Sequence, residues 1–124
     1  MRSIIAVLFS TILLMCAIPQ VQAQSTCPYS SVQVRVQPNT SIPWTQSVTV
    51  AVGSNVHVGV FKNGWGVPVS PGTVTVYAVQ GSLWQTMSLS NGWEAWWRSN
   101  YATTWSFEAY CGGMWVGRAT ATYR

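Results

Sequence analysis

The chain reads as an all-β protein, a single β-sandwich of about seven to eight short strands behind a cleavable leader. Three observations predict this. Apolar and polar residues alternate with period two over most of the chain beyond residue 31. Clusters of Gly, Asn and Pro interrupt those runs at intervals of roughly 8–12 residues. No segment sustains a helical period.

The leader comes first. Met1 and Arg2 precede an apolar run from Ile4 to Ile18, and Val21-Gln22-Ala23 supplies small residues at minus three and minus one. A membrane anchor needs about 20 apolar residues. This run is shorter, and Gln20, Gln22, Gln24 and Ser25 follow it closely. Cys16 would suit a lipoprotein, but the preceding Met15 is larger than the small residue usual there. Residues 1–23 are therefore expected to be a signal peptide cleaved after Ala23, with residues 24–124 forming one domain. The expected destination is the periplasm, the cell surface or the medium, without stable membrane insertion.

The strands follow in order. Val32, Val34 and Val36 alternate with Gln33, Arg35 and Gln37; Val48, Val50 and Val52 form a second set, and Val56, Val58 and Val60 a third. Then come Thr73 to Tyr77, Leu83 to Leu89, Trp93 to Arg98, Thr103 to Cys111 and Trp115 to Tyr123. β-Branched and aromatic residues suit a pleated, half-buried surface. Gly53-Ser54-Asn55, Pro71-Gly72, Gln80-Gly81, Asn91-Gly92 and Gly112-Gly113 lie between runs, where tight turns demand positive φ.

Cleavage removes Cys16 and leaves Cys27 and Cys111, which in an exported chain most simply form one disulfide. A bridge closing so long a loop stabilises by about 4 kcal/mol. The net charge is +4 with only 6% charged residues. The basic residues stand singly, so no stripe forms the footprint that nucleic acid or an anionic membrane requires.

From Asn63 onward the chain reads NGWGVPVSPGTVTVYA, SNGWEAWW, TTWSFEAYCGG and ATATY. This resembles a bacterial immunoglobulin-like domain, with its Gly-x-Pro corner, Thr/Val strand, Asn-Gly turn and closing alternating strand. The resemblance implies a Greek-key sandwich of the kind found in adhesins, cell-surface stalks and modules attached to secreted enzymes. Such domains usually occur in tandem, whereas this one is expected to stand alone, and the chain departs further in its Trp content and in placing Cys27 before the first strand. The bridge would then tie the N-terminus to the end of a late strand instead of pinning two sheets.

Catalytic groups are sparse. Beyond the leader there are His57, Glu94 and Glu108, and no Asp. A glycosidase needs two carboxyls about 5–10 Å apart, whereas Glu94 and Glu108 are expected on outward faces of different sheets. One His and two paired cysteines make no zinc site, and no acidic loop exists for calcium. No catalytic residues, metal or cofactor are expected, and the chain is not read as an enzyme. His57 alternates with inward valines and is expected at the surface.

The aromatic residues carry the remaining signal. Trp93, Trp97, Trp105 and Phe107 share parity with Ala95 and Ala109 and are expected inside. A hairpin at Asn91-Gly92 would set Thr86 opposite Trp96 and Trp84 opposite Arg98 on the outer side. Trp84 and Trp96 would be diagonal neighbours with Cβ atoms roughly 7–8 Å apart. Trp84, Trp96, Arg98 and Thr86 thus form the expected ligand site, a platform on which sugar rings stack. The competing reading packs those rings on loops, with Arg98 in cation–π contact. Tyr110 and Trp115 stand across Gly112-Gly113 with two alternatives. A plain turn sends Arg118 into the core, and a bulge at the glycines sends Trp115 there instead. Asn39-Thr40-Ser41 matches a glycosylation acceptor, relevant in a eukaryotic secretory route.

These readings converge on a secreted or surface binding and adhesion module whose partner is a polysaccharide or another extracellular protein. The alternatives are a self-assembling subunit of a fibre or oligomer, and an inhibitor or immunity protein.

Overall fold

A computed structural model describes residues 26–64 and 66–124. The expected signal peptide and the cleavage after Ala23 lie outside the described residues. Eight strands form: β1 (Val32–Gln37), β2 (Ser47–Val50), β3 (Asn55–Lys62), β4 (Val74–Gln80), β5 (Leu83–Thr86), β6 (Glu94–Arg98), β7 (Thr103–Cys111) and β8 (Met114–Tyr123). No helix occurs among the described residues. One sheet has the order β1-β3-β6 and the other β2-β8-β7-β4-β5. Every neighbouring pair is antiparallel except β2 with β8, which is parallel.

Period-two alternation becomes a core between the sheets. The first sheet contributes Val32, Val34, Val36, Val56, Val58, Val60 and Ala95, and the second Val74, Val76, Ala78, Trp105, Phe107, Ala109, Ala119, Ala121 and Tyr123. Ala121 and Ala119 lie beside Trp105 and Phe107 on the β7–β8 ladder, so small residues make room for the large rings. Each fully buried valine or phenylalanine contributes about 1.5–3 kcal/mol. Trp105 and Phe107 are buried as expected, and Trp97 packs partly buried against the same core.

The segment after β1 changes sheets. Thr45 exchanges backbone bonds with Val36 at the edge of the first sheet, at 2.7 and 2.8 Å. One residue later the Gln46 carbonyl accepts from Thr120 N of the second sheet at 3.0 Å, and β2 continues beside β8. Cys27 and Cys111 are bridged across a separation of 84 residues, tying the chain before β1 to the end of β7.

Two expected registers are corrected. The Asn91-Gly92 turn forms, with φ of 55° and 83°, but it does not join β5 to β6. β5 ends at Thr86 and pairs with β4, whereas β6 pairs with β3. Two interactions divert it. Met87 N still bonds Val76 O at 2.9 Å, holding the chain to the second sheet. Gly92 packs onto Pro71, where a β-carbon would lie 2.3 Å from Pro71 Cα. The turn is therefore docked on a neighbouring loop and carries the chain from one sheet to the other.

The second correction concerns β7 and β8. Cys111 pairs with Met114 and Tyr110 with Trp115, then the register slips so that Ala109 pairs with Gly117. The extra residue is Val116, which packs against the core. The bulge lies beyond Trp115, not at the glycines, so Trp115 and Arg118 both stay outside. Neither of the two expected alternatives is needed.

Candidate functional site

The four residues expected to form a platform are divided between the two sheets. Trp84 and Thr86 lie on β5, opposite Val79 and Tyr77 of β4, on the outer face of the five-stranded sheet. Trp96 and Arg98 lie on β6, opposite His57 and Asn55 of β3, on the outer face of the three-stranded sheet. Both indoles are half exposed, Trp84 at 52% and Trp96 at 50%. They are not diagonal neighbours, because no β5–β6 ladder exists. Thr86 and Trp96 share only the rim of a cavity at the open side between β5 and β6.

Trp84 instead belongs to a strip of rings across neighbouring strands. Its ring centroid lies 5.7 Å from that of Tyr77 on β4, which lies 5.5 Å from that of Tyr110 on β7. Trp115 on β8 is the register partner of Tyr110 and extends the row to a fourth strand. Outward parity produces this. Thr75, Tyr77 and Val79 alternate with the buried Val74, Val76 and Ala78, and Ser106, Glu108 and Tyr110 alternate with the buried Trp105, Phe107 and Ala109. The strip borders an open groove of about 540 Å³, walled by Thr73 and Thr75 and bounded by Gly72, Gly112 and Gly113. The Tyr77 and Tyr110 hydroxyls and the Trp84 indole N–H have no partner among the described residues. Tyr77 and Tyr110 were not among the expected site residues. Their signal was the outward parity beside Thr75 and Glu108, which becomes legible only once β4 is placed between β5 and β7.

Beside the strip, the Glu108 carboxylate accepts three side-chain hydrogen bonds. It accepts from the Ser106 hydroxyl, from Trp115 Nε1 at 2.7 Å and from Arg118 Nε at 3.1 Å. Burial pushes its pKa up, but those three bonds and the Arg118 charge outweigh burial and hold it below the ordinary value. The Arg118 guanidinium also lies 5.4 Å from the centre of the Trp115 ring. Glu108 therefore fixes the orientation of Trp115 at the end of the strip.

The opposite face carries a different cluster, and it corrects the expected surface position of His57. That residue is 5% exposed although it points away from the core. Trp96 stacks on it at 4.3 Å with an 8° interplanar angle, and Trp44 covers it at 4.6 Å. Gln37 Nε2 donates to Ile42 O, so Gln37 Oε1 accepts from His57 Nδ1–H at 2.7 Å. Nε2 of the same imidazole meets Glu94 Oε1 at 2.9 Å. Trp93, expected inside, is partly buried: it packs against the core and its ring also lies 5.6 Å from that of Phe61 and 6.4 Å from that of Trp44 in this outer cluster. Trp96 is thus committed on one side to a buried imidazole, whereas Trp84 is held only edge-to-face.

Glu94 and Glu108 lie on outer faces of different sheets, each inside its own network. No group of three His, Cys, Asp or Glu side chains that could hold a metal ion occurs among the described residues. Comparison with family models, curated proteins and solved structures finds no match to this chain.

Proposed function

We propose that this domain is a non-catalytic, extracytoplasmic binding module of immunoglobulin-like type that holds a glycan on the strip formed by Trp84, Tyr77 and Tyr110. The observation that carries the reading is three rings on three adjacent strands, bordering an open groove, with hydroxyl and indole donors that have no partner among the described residues. Sugars present C–H faces that stack on rings and hydroxyls that bond to polar tips. The leader pattern supports export. The disulfide suits an oxidising compartment.

Pull-down on insoluble glycans and cell walls tests this, with mass photometry in parallel. The expected result is retention of the wild-type protein and loss of retention in Trp84→Ala and Tyr110→Ala with folding intact. A shift in oligomer size in those variants, with no glycan retained by the wild type, would favour a self-assembling subunit instead.

A further inference from the structure

We infer that the strip takes an uncharged, extended glycan laid across the strands and at least three sugar units long. This inference rests on the glycan reading above.

The direction follows from the sheet. The three rings sit on β5, β4 and β7, which are hydrogen-bonded neighbours, so the row runs perpendicular to the strands. Strands in a sheet lie about 4.8 Å apart. Here the ring centroids are 5.7 and 5.5 Å apart. One pyranose unit of an extended chain advances by about the same length, so successive sugars meet successive rings. A compact or strongly coiled chain would meet only one. The rings cross at 63° and 79°, so faces and edges alternate along the row. A face offers stacking to C–H groups, and a tyrosine edge brings its hydroxyl within reach of sugar oxygens.

The charge class follows from the lining. Its polar groups are the hydroxyls of Thr75, Tyr77 and Tyr110 and the indole N–H of Trp84, the Thr73 hydroxyl being bonded to Ser70 O and Tyr29, and none of the described groove residues is charged. The adjacent ions, Glu108 and Arg118, are matched to each other across β7 and β8. An acidic sugar would shed water from its carboxylate against a lining with no cation among the described residues, the nearby Arg118 being already engaged by Glu108. A neutral sugar loses only hydroxyl hydration, which the groove hydroxyls replace. Gly72, Gly112 and Gly113 leave the rim without side chains, and nothing lies within 4 Å of where a β-carbon at Gly72 or Gly113 would stand.

Affinity electrophoresis of the purified protein separates the possibilities. One set of gels contains neutral linear polymers: hydroxyethyl cellulose, mannan and a β-1,3-glucan. The other contains carboxymethyl cellulose, alginate and polygalacturonate. The expected result is retardation by a neutral polymer and much weaker retardation by the acidic set. Trp84→Ala and Tyr110→Ala should each weaken binding about tenfold or more, the order expected on losing an aromatic anchor. Tyr77→Phe and Tyr110→Phe, which keep the packing and remove only a hydroxyl, should weaken it several-fold. Trp96→Ala, on the opposite face, should leave it unchanged, and circular dichroism of every variant establishes folding. Oligosaccharides of the retained polymer should gain affinity up to at least the trimer. Equal retardation by an acidic polymer, or a disaccharide binding as tightly as the polymer, would overturn this inference and leave the glycan reading intact. Absence of retardation by every polymer would overturn both.

Discussion

Gly59 lies so close beneath Trp44 that a β-carbon at position 59 would stand 2.7 Å from Cη2 of the indole. Glycine inside a strand ordinarily weakens it. Here it admits the ring that covers His57 and packs against Phe61. Gly59→Ala must displace Trp44, and a stability loss of about 1–3 kcal/mol is expected from overpacking. Urea unfolding gives the loss, and a red shift of the tryptophan emission reports the displaced indole.

Trp105 and Trp84 should behave oppositely on truncation. Trp105 is 4% exposed and meets Trp97 edge-on at 4.8 Å in the core. Trp105→Ala should cost about 3–5 kcal/mol. Trp84→Ala, at an exposed edge strand, should stay within about 1 kcal/mol of wild type. Thermal melting of the two variants side by side checks the contrast.

Acid should destabilise the protein through Glu108. Its carboxyl is held below the ordinary range, with burial opposing and the bonds from Ser106, Trp115 and Arg118 prevailing. A group depressed in the native state stabilises above its unfolded value, about 4.3, and loses that contribution as pH falls through its native value. Stability should therefore decline on acidification below about pH 4. Glu108→Gln should flatten that slope and lower stability at neutral pH. Denaturant midpoints measured from pH 2 to pH 7 test both.

Removal of the bridge should be costly because the loop it closes is long. Cys111→Ala should destabilise by about 2–5 kcal/mol. Peptide mapping without reductant should recover Cys27 linked to Cys111, and free thiol at both positions would contradict the pairing.

The strands were legible because each is a local pattern. Val56, Val58 and Val60 announce an inward face without reference to any partner. Partnership is not local, and there the reading failed. Asn91-Gly92 has the residues of a two-residue hairpin and adopts the matching φ values, yet Gly92 docks on Pro71, twenty-one positions earlier in the chain. That contact, with the Met87 N–Val76 O bond, accompanies the crossing that puts Trp84 and Trp96 in different sheets. His57 was misplaced for a related reason. Its parity does point away from the core, but Trp44, from a loop with no periodic pattern, folds over it. The glycines alone offer a plain turn or a bulge at Gly112-Gly113, and the bulge at Val116 is neither. In the register it produces, Arg118 stands opposite Glu108 and bonds it at 3.1 Å.

The link between Cys27 and Cys111 also sets how the domain would carry a load. Tension applied between Cys27 and the end of β8 bypasses the 84-residue interval and passes through the sulfur atoms into the Gly112-Gly113 turn. Only β8 then lies on the loaded path, gripped between β2 and β7. Its parallel ladder with β2 and its antiparallel ladder with β7 both resist that pull along the strand axis, where many bonds must break together. β8 already spans its ten residues at roughly 3.4 Å each, so the chain gains little length if it tears free. The loop holding Trp84, Tyr77 and Tyr110 stays outside the loaded segment, as a covalently shielded block on a short tether.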